Sequence, residues 1–149
     1  MRNFVRQIDF YCILVLFGIF FLLNWRAVTG DWLTYDEARH FAYGAQILSG
    51  DSDQYKGAYN VQASHSPSSA LNAIPSKLCP SSYPSDIYKG RYVTILFSMV
   101  AAFFIYLWSR KLYGPLAGLL SLFLYVFDPN IIAHSHLVTT DIYTLGMIV

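Results

Sequence analysis

Charged residues are scarce in this chain of 149 amino acids. Asp, Glu, Lys and Arg make up 13% of it, against 55% hydrophobic and 17% aromatic residues. The formal net charge is only +1, and the basic residues are spread singly along the chain. This pattern lacks the basic stripe of a nucleic-acid-binding protein, and it is typical of a membrane protein.

Cysteine is also rare in the chain. Cys12 lies in the first apolar run and Cys79 lies in a polar loop, so we expect no disulfide between them.

Charge is absent from three long segments and from the C-terminal end, at residues 10–25, 92–109, 112–127 and 142–149. Each of the first three approaches the length of about 20 residues that a helix needs to span a bilayer, and Trp, Tyr and Arg flanks complete it. The sequence predicts an all-α integral membrane protein, with transmembrane spans at about 9–26, 91–109, 112–128 and 141–149. At about 1.5 Å per residue the last segment rises only about 12 Å, so that span is incomplete. We therefore expect residues 1–149 to be the N-terminal part of a longer transmembrane domain. We expect enzymatic activity of that longer protein and not of this piece alone.

Basic residues at the ends of the apolar runs predict the orientation. Arg2 and Arg6 precede the first span, and Arg110 and Lys111 join the second span to the third. The positive-inside rule places these residues in the cytoplasm. The large loop at about 27–90 is then extracytoplasmic.

Within this loop, apolar residues at helical spacing predict an amphipathic helix from Asp36 to Leu48 that lies at the membrane interface and ends at Gly50. Thr34 followed by Glu37 fits a capping box at its start. A further helical turn is predicted at residues 70–74.

A first acidic site lies in this helix. Asp36 and His40 are one helical turn apart, and the spacing predicts that they share a face, with Glu37 about 100 degrees away. A carboxylate and an imidazole on one face suit a general base with its orienting partner, or a divalent ion. Acidic residues are also favoured at a helix N-terminus by the helix dipole, without any function. The functional and the structural interpretation of Asp36 and Glu37 therefore both stay open.

A second acidic site precedes the last apolar run, where His134 and His136 are followed by Asp141. Their uneven spacing and the lack of a nearby cysteine argue against a closed structural zinc site. Thr139 and Thr140 suit a helix N-cap, with Asp141 in the first turn of the fourth span. Residues 131–141 are expected to form a short outer loop.

Several short motifs occur in a definite order along the chain. They are Asp36-Glu37-x-x-His40 with Tyr43-Gly44 and Gly50-Asp51, His65-Ser66-Pro67 before Leu71 and Pro75, Gly90-Arg91, Arg110 to Gly114, and Asp128-Pro129-Asn130 through Ala133-His134 to Thr139-Thr140-Asp141. With these motifs, nearly all of the chain resembles the membrane-embedded C-type (GT-C) glycosyltransferases, the group around protein O-mannosyltransferases and bacterial aminoarabinose transferases. One departure is Ser64 before His65, where members often carry glutamate.

The resemblance implies a bundle of many transmembrane helices in a bacterial plasma membrane, with interfacial helices over an extracytoplasmic active site. It implies a polyprenyl-phosphate sugar donor and an acceptor hydroxyl on a protein, lipid or glycan. Asp36 is then the catalytic base, and Glu37 and Asp141 are orienting or metal-holding carboxylates. Participation of a divalent cation stays open. The expected substrate-binding residues are His40, His65, Arg91, His134 and His136.

Two other classes stay open beside the glycosyltransferase. The chain is also compatible with a non-catalytic membrane fragment or assembly subunit. A transporter has less support, because the three full apolar runs carry no ionisable group near the bilayer midplane.

Overall fold

The computed structural model describes residues 2–50 and 66–149, except for the side chains of residues 2–6 and 8. This part of the chain is all helical, in agreement with the predicted class. Its helices, in chain order, are α1 (Arg2–Gly30), α2 (Tyr35–Ser49), α3 (Ser69–Leu78), α4 (Ser85–Tyr113), α5 (Pro115–Phe127), α6 (Pro129–Ser135) and α7 (Asp141–Ile148).

The two long helices, α1 and α4, run antiparallel to each other. At one end, Arg110 of α4 lies 3.6 Å from the Asp9 carboxylate of α1. At the other end, Arg91 Nη1 donates to the carbonyl of Val28. Asp9–Gly30 and Ser85–Tyr113 are each long and apolar enough to cross a membrane, so the first two predicted spans have matching helices.

Helix α5 lies in the third predicted span, and α6 follows it, which corrects the loop expected at residues 131–141 for its first residues. Helix α5 has only 13 residues, and α6 follows it after a bend of 65°. The pair is long and apolar enough for one membrane span when taken together. Asp128 lies between the end of α5 and the start of α6. Its carboxylate accepts the N–H groups of Asn130 and Ile131 and so forms the N-cap of α6. Pro129 is the first residue of the new helix, where its missing N–H costs nothing.

The predicted amphipathic helix is confirmed as α2. It has the capping box of Thr34 and Glu37 at its start, and it ends at Gly50, whose φ of 69° is the left-handed conformation favoured by glycine. Helix α3 covers the predicted turn at 70–74 and extends beyond it, and Lys77 Nζ donates to the carbonyl of Leu48 at 2.7 Å.

A hydrophobic core lies where α1, α4 and α5 meet. Its buried members are Phe20, Ala102, Tyr106, Leu122, Tyr125 and Val126. Beside it, the Ser98 hydroxyl lies 2.8 Å from the Tyr125 hydroxyl and 2.7 Å from that of Ser135. These contacts fix α5 and α6 against α4. Cys12 and Cys79 are both free, as predicted.

Candidate functional site

A buried ion pair joins the start of α2 to the start of α4. Glu37 and Arg91 are both inaccessible to solvent, and two parallel hydrogen bonds connect them. Arg91 Nε donates to Glu37 Oε1 at 2.8 Å, and Arg91 Nη2 donates to Oε2 at 2.7 Å. Such bidentate pairs are the strongest and the most directional of the charged hydrogen bonds.

Arg91 uses all of its hydrogen-bond donors inside the protein. Beyond the two bonds to Glu37, Nη1 donates to the carbonyls of Val28 and Asp31, and Nη2 donates to the carbonyl of Trp32. A guanidinium has five N–H groups, so none is left over. The substrate contact that the resemblance implied for Arg91 therefore has no free N–H group to make it in this structure. Its bonds instead hold the segment between α1 and α2.

Glu37 accepts hydrogen bonds from three separate parts of the chain. Besides Arg91, its Oε2 accepts the backbone N–H and the hydroxyl of Thr34, and its Oε1 accepts the backbone N–H of Val138 at 3.0 Å. Val138 lies between the two predicted histidines and Asp141. The bond therefore brings the start of α2 close to the segment before Asp141. This proximity agrees with the prediction that both acidic sites lie on one face of the membrane.

The surroundings of Glu37 favour its charged form. Burial alone would raise the pKa of this carboxyl group, because it removes the charge from water. The hydrogen bonds from Arg91, Thr34 and Val138 and the charge of Arg91 outweigh burial and hold the pKa below its ordinary value of 4.5. Glu37 is thus a poor proton acceptor near neutral pH, and its contacts suit an orienting role.

A second polar bridge connects the same two regions. His136 Nε2 lies 2.9 Å from the Asp31 carboxylate, and Nδ1 lies 2.8 Å from the carbonyl of Ile132. Both ring nitrogens of the buried His136 thus face oxygen atoms within the protein. Since Arg91 also binds the backbone of Asp31, this one residue is fixed both by α4 and by the C-terminal end of α6.

Asp36, the predicted base, has a different environment from its neighbour Glu37. Its side chain is exposed, and it has no hydrogen bond or ion pair with any other residue that the structure describes. His40 is 8% exposed, and its Nδ1 lacks a hydrogen-bond partner within the same residues. Asp36 and His40 are thus one turn apart in α2, as predicted, but Asp36 is exposed and His40 is buried. The buried face of α2 contains Glu37, His40 and Gly44, because this face packs against α3 and α4.

Asp141 is the first residue of α7, as predicted, and Thr140 is its N-cap residue, although the Thr140 side chain makes no capping bond. His134 Nδ1 lies 3.1 Å from Asp141 Oδ2, and both side chains are about half exposed. His134 and Asp141 are therefore neighbours on the surface, whereas His136 is directed inward. His65 lies outside the residues that the structure describes.

The predicted metal-holding carboxylates do not form a ligand cluster in the part of the chain that is described. No group of three or more His, Cys, Asp or Glu side chains there is placed to hold a metal ion. Glu37 in particular already accepts five hydrogen bonds from the protein. Asp36, Glu37 and Asp141 are thus distinct in setting: one is exposed and unpaired, one is buried and one lies beside a histidine.

The sequence reasoning missed several contributors to this site, among them Asp31, Trp32 and Val138. Asp31 and Trp32 follow the first apolar run, where they resemble an ordinary interfacial flank. Val138 contributes only its backbone N–H, which no side-chain pattern can reveal. For Asp31 there was one available signal, since it is the first acid after a long uncharged helix.

Residues 85–149 match the family model described as dolichyl-phosphate-mannose-protein mannosyltransferase. Neither the curated proteins nor the solved structures gave a match to the chain. The matched segment begins at the first residue of α4 and includes Arg91, Val138 and Asp141. Asp36 and Glu37 lie outside it, and they connect to it through the bonds from Arg91 and Val138.

This match covers less than half of the chain, and it shows that residues 85–149 are similar to glycosyltransferases of the mannosyltransferase type. Together with the long apolar helices, it supports an integral membrane protein.

Proposed function

We propose that this chain forms part of a glycosyltransferase that moves a sugar from a polyprenyl-phosphate donor to an acceptor hydroxyl on the extracytoplasmic face of a bacterial plasma membrane. The acceptor is a protein, a lipid or a glycan. One observation carries the proposal most directly: Glu37 joins α2, which bears Asp36, to the segment matched by the mannosyltransferase family model.

Asp36 acts as the general base in this proposal. Its carboxylate takes the proton from the acceptor hydroxyl, and the oxygen attacks the anomeric carbon of the sugar. The bond from that carbon to the phosphate oxygen breaks, and the polyprenyl phosphate leaves with the electron pair. A general base of this kind contributes about 100- to 10,000-fold to the rate. The exposed, unpaired state of Asp36 leaves its carboxylate available to accept a proton.

Glu37 and Arg91 are positioning residues. Their ion pair fixes the first turn of α2, and through it the backbone that bears Asp36, relative to α4. Precise placement of reacting groups is worth several kcal/mol of the barrier, and a small displacement is costly. Asp141 with His134 provides further polar contacts at the start of α7, while His136 acts through Asp31 and His40 lies on the buried face of α2.

The test is sugar transfer by membranes that contain the glycosyltransferase of which this chain forms part, with dolichyl-phosphate-mannose as donor. We expect Asp36→Asn to lower the transfer rate by about 100- to 10,000-fold while expression and unfolding are unchanged. Asp36→Glu, which keeps a carboxylate, is the matched control and should keep part of the activity. Normal turnover by Asp36→Asn removes the residue from the mechanism. Absence of transfer by the wild-type form of that glycosyltransferase, from dolichyl-phosphate-mannose and from other polyprenyl-phosphate sugars, contradicts the proposed function itself.

A further inference from the structure

Trp32 combines full exposure of its side chain with a fixed backbone. With 90% of its surface accessible, it is the most exposed large hydrophobic residue in the part of the chain that the structure describes. It lies in the short segment between α1 and α2, four residues before Asp36. A large apolar side chain that is exposed to solvent so close in sequence to Asp36, the proposed base, needs a physical explanation.

The backbone on both sides of Trp32 is held by buried groups. Arg91 Nη2 donates to the Trp32 carbonyl at 3.0 Å, and Arg91 Nη1 donates to the carbonyl of Asp31 at 3.0 Å. On the other side, the Thr34 N–H donates to Glu37 at 2.9 Å.

The Asp31 side chain adds a further attachment, through His136 Nε2 at 2.9 Å. The buried Arg91 thus uses one of its five N–H groups on the most exposed large hydrophobic residue in the described part of the chain. The segment between α1 and α2 therefore holds the backbone of Trp32 in one position, while its indole ring is exposed.

We propose that the Trp32 indole is a binding platform for the sugar ring of the donor. This inference rests on the proposed function and names a substrate contact within it. The apolar C–H face of a pyranose is slightly positive, and it stacks on the electron-rich face of an indole, whose N–H donates to a sugar hydroxyl. A rigid aromatic ring binds at little cost in conformational entropy. The fixed backbone adds to this advantage, because no loop must be ordered when the sugar binds.

The competing role for Trp32 is that of an anchor in the headgroup region of the bilayer. Tryptophan is enriched there, and Trp25 in α1 and Trp108 in α4 have positions in the candidate spans that suit it. A bilayer anchor needs no fixed backbone, because the headgroup region accepts many orientations. The bonds from Arg91 and His136 therefore favour a specific ligand over the lipid surface.

Fluorescence quenching separates these two roles. Trp25→Phe with Trp108→Phe leaves Trp32 as the sole tryptophan of the full chain, which is then placed in lipid vesicles. We expect acrylamide in the water phase to quench Trp32. Dolichyl-phosphate-mannose should lower the quenching constant about twofold, because stacking shields one face of the ring. Dolichyl phosphate without a sugar is the matched control and should not protect. Equal protection by both lipids, no protection by either, or quenching by brominated lipid instead of acrylamide overturns the proposal.

Transfer kinetics give a second test that also distinguishes this proposal from the proposed function. Trp32→Ala should raise KM for dolichyl-phosphate-mannose by about 2- to 13-fold with kcat unchanged, the effect expected for loss of one stacked ring. Trp32→Phe keeps a ring and should restore most of the affinity, which a purely structural role of the residue would not predict. If the wild type transfers mannose and Trp32→Ala has the same KM, the platform fails while the proposed function stands. If the wild type transfers no sugar, the proposed function fails.

Discussion

The backbone N–H of Val138 donates to the Glu37 carboxylate across a sequence separation of 101 residues. This bond connects the first turn of α2 with the segment just before α7, so the two acidic regions of the chain meet. A carboxylate in so buried a place requires a compensating charge. Arg91 supplies it, and the same guanidinium also holds the segment that bears Trp32.

The first prediction concerns the stability of the buried ion pair. Glu37→Gln or Arg91→Met leaves one charged or polar partner buried without its match, and each should lower the free energy of unfolding by about 3–5 kcal/mol. Reversible unfolding in mixed micelles measures this change. Asp36→Asn is the matched control, since Asp36 is the exposed neighbour, and it should stay within about 0.5 kcal/mol of the wild type.

Removing both partners at once should cost less than the sum of the two single changes. The double variant Glu37→Leu with Arg91→Met leaves no buried charge, and well-packed apolar side chains often replace a buried pair at little cost. A double variant as unstable as the two single effects added together would show that the two side chains act independently.

The second prediction is a specific sensitivity to acid. Since the pKa of Glu37 in the folded protein lies below its ordinary value of 4.5, its charged form stabilises the fold. That contribution is complete above pH 4.5 and is lost as the pH falls through the lower pKa of the folded state.

Unfolding measured from pH 7 down to pH 3 tests this, with Glu37→Gln as the comparison. The difference in the free energy of unfolding between wild type and variant should be constant near neutral pH and should shrink in the acid range. A difference that stays constant throughout would mean that the carboxylate does not carry the effect.

The third prediction concerns the close contact between α2 and α3. A Cβ atom on Gly44 would lie 2.0 Å from the backbone oxygen of Ser69, so Gly44→Ala must move the helices apart. We expect a loss of about 1–3 kcal/mol in the free energy of unfolding. Gly18→Ala in α1 is the matched control, because nothing lies within 4 Å of its new Cβ, and alanine should stabilise that helix by up to about 1 kcal/mol. Equal effects of the two substitutions would refute the contact.

The fourth prediction addresses the orientation in the membrane. Cys79 is exposed in the segment between α3 and α4, whereas Cys12 is half-buried within α1. If this segment is extracytoplasmic, a membrane-impermeant maleimide should label Cys79 in intact spheroplasts, and Cys79→Ser should abolish the signal. Labelling that requires permeabilised membranes would place the segment, and the proposed base with it, on the cytoplasmic side.

Local signals in the sequence correctly predicted several helix boundaries. Thr34 and Glu37 begin α2, and Gly50 ends it, because capping depends only on residues within one turn of the helix end. At Asp128, the same reliance on neighbouring residues led to the wrong prediction of a loop in place of α6. Asp-Pro ends one helix and begins another equally well, so the sequence pattern alone did not reveal α6.

For the candidate site, the sequence identified residue types but not their roles. The Asp-Glu pair at the start of α2 was recognised as a functional motif. The exposed position of Asp36 and the buried position of Glu37 became clear only when α2 was packed against α3 and α4. The partners of Glu37 lie 54 and 101 positions away, and no local periodicity links them.

The sequence by itself determined that the chain is helical and membrane-embedded, since long uncharged apolar segments are stable only as helices with all backbone groups bonded internally. Tertiary structure decided which charges are buried and which remain available to a substrate. Which charges are buried depends on contacts between segments that are distant in the sequence. A guanidinium has five N–H donors, and these can bond either to the protein or to a ligand. In this fold Arg91 satisfies the protein, and Asp36 and Trp32 remain exposed.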